Sequence, residues 1–299
     1  MSAALILTCD PCRPIIDAGV LAALRDVLSP VSEVCLAPAI SHQFDLAGPA
    51  AAALRQGVAA CLGERPIDHN WLPHAPQRQR LLIADMDSTI IVGESLDDLA
   101  AMIGIGDEIA AVTARAMRGE LDFEAALQAR VARLSGQPAT LLDDLRATIR
   151  LTAGAETLVK TMRANGSHCA LVSGGFTAIT EHVAGLLGFD SHRGNTLDIV
   201  DGRIAGTVSL PILGQDAKQQ ALMALCGQLQ CTAAAALAVG DGANDLAMLS
   251  GAGLGVAFRA KPAVRAAAKY RIDHGDLTAL LYLQGYKLSE FATEAAEVN

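Results

Sequence analysis

Aromatic side chains make up only 3% of the 299 residues, although hydrophobic residues reach 52%. The apolar content therefore rests on Ala and Leu, which favours helices packed on a small-residue core. Positive charge is also short: 23 Lys and Arg stand against 32 Asp and Glu, a net charge of −9. No Lys/Arg cluster is long enough to track a phosphate backbone, so nucleic-acid binding is disfavoured. No apolar run approaches the roughly 18 residues needed to span a bilayer. The opening segment, MSAALILTCDPCRP, lacks a basic region and a cleavage signal. The expectation is a soluble cytoplasmic protein with no membrane partner. The charged fraction, 18%, speaks against disorder.

Seven cysteines (9, 12, 35, 61, 169, 226 and 231) are odd in number and scattered. That pattern excludes a disulfide framework and implies reduced, mostly buried thiols. Cys9-Asp10-Pro11-Cys12 follows a strand-like run and precedes a helix-like one, an order shared with redox C-x-x-C sites. No second C-x-x-C completes a structural zinc site. The pair reads as two ordinary cysteines at a strand end.

The chain is long enough for two domains. Residues 1–75 read as a small α+β domain: a strand at Ala4–Thr8, helices at Ile16–Leu28 and Pro49–Leu62, and a strand-like stretch at Val31–Leu36. Residues 63–80 carry Pro and Gly breakers and read as a linker with a short strand around Ile67–Leu72. Beyond it, strand-like runs at Leu81–Ala84, His168–Val172 and Ala235–Val239 alternate with helical patterns. Gly253–Phe258 and Tyr270–Ile272 are further strand candidates. Residues 94–150 are helical in pattern throughout. Thr196–Ser209 reads as a hairpin turning at Asp201-Gly202. Alternating strands and helices predict an α/β core with a doubly wound parallel sheet, in which ligands bind beyond the carboxyl ends of the strands.

Three of those strand ends carry chemistry. Asp85-Met86-Asp87-Ser88-Thr89 places two acids two residues apart, which suits metal binding or nucleophile-plus-acid/base work. Ser173-Gly174-Gly175 precedes a helix and offers backbone N–H groups and a hydroxyl to an anion. Gly240-Asp241-Gly242-Ala243-Asn244-Asp245 puts hard oxygen ligands at a strand-to-helix turn, as Mg²⁺ requires. Lys218 opens a helix after the hairpin. Each element alone has an ordinary explanation as a cap, a turn or a solvated surface group. No such explanation covers the set.

The four together resemble the motifs of the haloacid-dehalogenase-like phosphotransferase superfamily, over about residues 80–285. GELDFEAALQARV (119–131) and LVSGGF (171–176) resemble its phosphoserine branch. The resemblance implies a Rossmann-like core (76–93 and 151–290) with a helical cap (94–150) inserted after the first core strand. It also implies hydrolysis of O-phosphoserine through an aspartyl-phosphate, the last step of serine biosynthesis. Asp85 is then the nucleophile and Asp87 the general acid and base. Ser173 and Lys218 bind the phosphoryl oxygens. Mg²⁺ is held by Asp85, the main-chain carbonyl of Asp87, and Asp241, with Asp245 supporting from behind. Arg130 takes the substrate carboxylate and Glu94 its ammonium, with Met117 and Phe123 as walls. Gly174, Gly175 and Asn244 complete the substrate contacts. Arg259 and Lys261 are rim charges without a catalytic assignment.

Other readings keep part of this picture. An alcohol in place of water would make the chain a phosphotransferase, and another small phosphomonoester would make it a different phosphatase. A binding protein that has lost turnover is disfavoured because Asp85, Asp87, Asp241, Asp245 and Lys218 are all present. A cation-pumping ATPase is excluded by the missing spans. For residues 1–75 the readings are dimerisation into a homodimer, which is preferred, or an ACT-like amino-acid sensor.

Overall fold

The computed structural model describes residues 3–117, 120–214 and 216–292, with side chains undescribed at 116 and 117. The first part is built as β1 (Ala4–Cys9), α1 (Ala18–Leu28), β2 (Ser32–Ala37), β3 (Ser41–Asp45), α2 (Ala52–Leu62) and β4 (Ile67–Leu72). Its four strands form one antiparallel sheet in the order β2-β3-β1-β4. This is a βαββαβ unit with one more strand than the sequence suggested. The extra strand is β3, Ser-His-Gln-Phe-Asp, whose polar residues mask a buried position beside β1. The stretch read as a linker supplies β4, an edge strand of the sheet. Leu5, Leu7, Leu24, Phe44, Val58 and Trp71 pack between this sheet and its two helices.

The second part holds β5 (Leu81–Ala84), then α3 (Ser95–Met102), α4 (Gly106–Met117), α5 (Phe123–Ala132), α6 (Leu141–Thr148) and α7 (Ala155–Ala164). β6 (His168–Phe176), α8 (Thr177–Leu187), β7 (Ser191–Asn195), β8 (Leu197–Val200), β9 (Arg203–Val208) and α9 (Ala217–Gln228) follow. The last elements are β10 (Ala236–Gly240), α10 (Leu246–Gly251), β11 (Leu254–Phe258), α11 (Pro262–Ala267), β12 (Tyr270–Ile272) and α12 (Ala279–Tyr282). Six strands make a wholly parallel sheet in the order β12-β11-β10-β5-β6-β7. The central strand β5 is a continuous apolar run, as burial on both faces demands. Leu82 and Ala84 face one helical layer, and Leu81 and Ile83 face the other.

Four helices, α3 to α6, are inserted between β5 and β6, where the cap was expected. The hairpin β8–β9 joins them. Ile204 exchanges backbone bonds with Gly136 and Gln137, and Ala139 N–H donates to Gly202 O at 2.9 Å. Its turn is at Asp201-Gly202, both with positive φ (48° and 72°), the geometry a two-residue hairpin loop prefers.

β4 also docks the first part on the second. Asp68 accepts from the N–H groups of Asp273, His274 and Gly275. The Asn70 amide donates to Arg271 O and accepts from Arg271 N–H, each at 2.9 Å.

Candidate active site

The carboxyl ends of β5, β6 and β10 converge, and each delivers one of the polar clusters. After Ala84 the chain leaves the sheet at Asp85, whose Oδ1 accepts from Met86 N–H at 2.7 Å. Ser88 turns the loop back with a φ of 53°. Asp85 and Asp87 consequently look into one space. It is lined further by Glu94, Ser95, Phe123, Leu127, Arg130, Ser173, Gly174, Gly175, Phe176, Asp241, Asn244 and Lys261.

Lys218 is almost wholly buried (3% exposed) at the start of α9. Its Nζ lies 2.7 Å from Asp85 Oδ2 and 2.6 Å from Asp245 Oδ1. Burial opposes its charge, but the flanking Asp85 and Asp245 carboxylates outweigh that and hold its pKa above the ordinary lysine value. Burial drives the Asp85 carboxyl up, against the pull of Lys218. Asp245 is fully buried, and its second oxygen accepts from Gly242 N–H at 2.9 Å. A Cβ on Gly240 would sit 2.3 Å from Asp245 Cγ, so this position must be glycine for the acid to fit.

Asp87 is gripped on both oxygens. Ser95 N–H donates to Oδ1 at 2.7 Å, and Ser173 Oγ donates to Oδ2 at 3.1 Å. Burial nevertheless raises its carboxyl above the ordinary range, and Glu94 adds to the rise. Ser173 Oγ also accepts from Gly175 N–H at 2.8 Å. The strand register shifts between Val172 and Phe176, which turns Ser173–Gly175 toward the pocket. The missing Cβ atoms have uses of their own. One on Gly174 would meet Phe123 Cζ at 3.0 Å, and one on Gly175 would meet Asp87 Oδ2 at 2.9 Å.

Away from Asp85, the pocket holds Arg130 and Glu94. Arg130 gives one hydrogen bond, Nε to Ala126 O at 3.2 Å, and makes no ion pair with a described residue. Burial lowers its pKa, while Asp97, Glu94 and Asp87 oppose that. Glu94 Oε1 accepts from Ser88 Oγ at 2.9 Å. Phe123 closes one wall. The Met117 side chain lies outside the described residues.

Among the described residues, Asp85, Asp241 and Asp245 bring one oxygen each within 4.8 Å of one another. Both oxygens of Asp245 are engaged, by Lys218 and by Gly242 N–H. Asp85 is engaged likewise, by Met86 N–H and Lys218, and a carboxylate oxygen that accepts one bond keeps a further lone pair; what separates the three is that Asp85 and Asp241 line the pocket. Buried carboxylates in excess of nearby cations are a donor set that a hard divalent ion suits. Burial raises the Asp241 carboxyl, and Lys261 partly offsets this.

Two contributors, Ser95 and Asn195, carried little local signal. Ser95 aligns Asp87 through its backbone. Asn195, 2% exposed, donates to Gly174 O and accepts from Leu213 N–H, both at 2.8 Å, and so holds the Ser173–Gly175 segment. Lys261 lines the pocket. Arg259 does not: its Nη2 donates to Gly275 O at 2.9 Å, and its guanidinium lies over Phe258. The rim charge expected there is absent because Arg259 instead braces the loop after β12.

The model of the haloacid dehalogenase-like hydrolase family matches residues 79–253. This chain belongs to that family. Its parallel core, the insertion after β5 and the Asp85/Asp87 loop are the family portion of the molecule. A phosphoserine phosphatase of Streptomyces coelicolor is 42% identical over 262 residues, 87% of this chain and 63% of that protein. One of Lactococcus lactis is 43% identical over 201 residues, 67% of this chain and 93% of that protein. A probable phosphoserine phosphatase of Vibrio cholerae, solved unliganded, superposes with a TM-score of 0.78 at 29% identity, over 96% of this chain and 88% of that one. The chain spans 54% to 65% of the length of three of the curated relatives it matches.

Proposed function

We propose that this hydrolase is a phosphoserine phosphatase, converting O-phospho-L-serine and water to L-serine and phosphate. The observation that carries the reading is the pocket's two ends. Asp85, Asp87 and Ser173 form one, with Lys218 paired to Asp85, and Glu94 and Arg130 face the same space. A phosphate ester that also bears an ammonium and a carboxylate matches both. The names of the Streptomyces and Lactococcus relatives support the same substrate.

In this reading an Asp85 carboxylate oxygen forms a bond to phosphorus as the seryl oxygen leaves. Asp87 gives its proton to that oxygen. Its raised pKa keeps the proton available above the ordinary carboxyl range. Asp87, now a carboxylate, then takes a proton from water, whose oxygen displaces Asp85 from phosphorus. Splitting hydrolysis this way replaces one difficult step with two easier ones. Ser173 and Lys218 stabilise the charge that spreads over the phosphoryl oxygens. Because Lys218 bridges Asp85 and Asp245, it is fixed before substrate arrives. Asp85, Asp241 and the main-chain carbonyl of Asp87 would hold Mg²⁺, with Asp245 supporting Lys218 beside them. The ion would cancel repulsion between the attacking carboxylate and the phosphate. Arg130 offers its unpaired guanidinium fork to the substrate carboxylate. Phe123 walls the pocket, and Asn244 lines the phosphate side.

The test is phosphate release from O-phospho-L-serine with Mg²⁺, for wild type and Asp85→Asn. Active wild type and a variant reduced by several orders of magnitude are expected. A wild-type enzyme that hydrolyses an aryl phosphate and leaves phosphoserine intact would refute the assignment of Glu94 and Arg130. Residues 1–75 are proposed to serve dimerisation. The measurement for this is sedimentation of the full chain.

A further inference from the structure

Lys261 stands at the pocket mouth between acids on opposite walls. Its ammonium lies 3.7 Å from Glu94 Oε1 and 3.6 Å from Asp241 Oδ2. Its main-chain N–H donates to Asp241 O at 3.0 Å, which pins the base of the side chain to the end of β10. The tip is in water, the side chain being 58% exposed. Glu94 sits where the cap begins, immediately before α3. Its Oε1 takes the Ser88 hydroxyl, and Arg130 also feels its charge.

We propose that Lys261 is the counter-charge for Glu94 when the bound ligand brings no ammonium of its own. Lys261 thereby sets how sharply the site selects ammonium-bearing phosphate esters. The inference rests on the phosphoserine reading of the site. Glu94 confronts a ligand that carries a phosphate dianion. A ligand ammonium beside Glu94 compensates that carboxylate. An ester lacking the ammonium leaves it uncompensated, and repulsion follows. Lys261 supplies the missing charge and so reduces the penalty against such esters. Removing it must sharpen discrimination. Whatever Lys261 does for Asp241 or for the phosphate is common to both ligands and cancels in their ratio.

The experiment compares kcat/KM for O-phospho-L-serine with that for 3-phosphooxypropanoate, in which hydrogen replaces the ammonium. The full chain is used as wild type, Lys261→Met, Lys261→Arg, Glu94→Gln and the Glu94→Gln/Lys261→Met double variant. Lys261→Met should raise the phosphoserine-to-analogue ratio about two- to fivefold, the size expected of an exposed ion pair. Lys261→Arg should keep the wild-type ratio. In the Glu94→Gln background, Lys261→Met should change the ratio no further. An unchanged or lower ratio in Lys261→Met overturns the inference while the substrate reading stands. So does an equal rise in the Glu94→Gln background. Failure of wild type to turn over phosphoserine overturns the substrate reading and this inference with it.

Discussion

Gly175 stands so close to Asp87 that a Cβ there would lie 2.9 Å from Oδ2. Asp87 has little freedom to give way, because the Ser95 N–H and the Ser173 hydroxyl each hold one of its oxygens. Gly175→Ala should therefore turn the acid rather than unfold the chain. Turnover should fall about 100-fold, the cost of a misplacement on the ångström scale. Steady-state kinetics beside a thermal melt checks this: kcat should drop with the melting temperature nearly unmoved.

Lys218 sits between two buried carboxylates, Asp85 and Asp245. Lys218→Met would leave both acids facing each other unpaired. Breaking a buried ion pair from one side costs about 3–5 kcal/mol. Urea unfolding with a chelator present should show that loss, and a separate assay with Mg²⁺ should show phosphate release abolished. A variant as stable as wild type would mean the two acids relax by taking up protons.

Asn195 reaches the site only through the backbone. Asn195→Ala would strand Gly174 O and Leu213 N–H in a buried place. About 1–3 kcal/mol of stability should go with each group that water fails to reach. The Ser173–Gly175 segment should loosen as well, raising KM more than it lowers kcat. Asn195→Asp, which keeps the acceptor alone, should fall between the two in stability.

His42 and His69 give the βαββαβ unit a pH dependence. Burial lowers both imidazoles, in His42 against an opposing contribution from Glu33. A lowered histidine means the unfolded chain binds the proton first. Stability is complete above about pH 6.5, the ordinary imidazole value, and is lost as pH falls from there through the folded pKa values. Asp68 and Asp276, raised by burial, act in the opposite sense. The informative quantity is therefore the difference between wild type and the His42→Gln/His69→Gln variant. Melting temperatures between pH 7.5 and 5 should fall less steeply for the variant.

The core of the site was legible because three apolar strand runs each end in polar, glycine-rich residues, and topology brings such ends together. The hairpin was legible for a local reason, the Asp201-Gly202 pair. β3 was hard to read because its buried positions include Ser41, His42 and Gln43, whereas β4 was read at its observed bounds despite the buried Asp68 and Asn70. Ser41 donates to Leu7 O across the sheet and Gln43 to Asp45 on its own strand, and neither period nor propensity encodes such contacts. Ser95 and Asn195 escaped for a similar reason. Each is a lone polar residue whose partner is fixed only by tertiary structure.

β12 closes one side of the parallel sheet, and a free strand edge invites pairing with another chain. The Asn70 side chain occupies both main-chain groups of Arg271 on that edge, as a neighbouring strand would. Asp68 takes the next three N–H groups. The first domain is thus a physical guard for the catalytic sheet, whatever else it binds. A chain shortened to begin near residue 76 would uncover this edge and be prone to stick to itself. Any change in kinetics on such shortening should be judged only after its state of association has been measured.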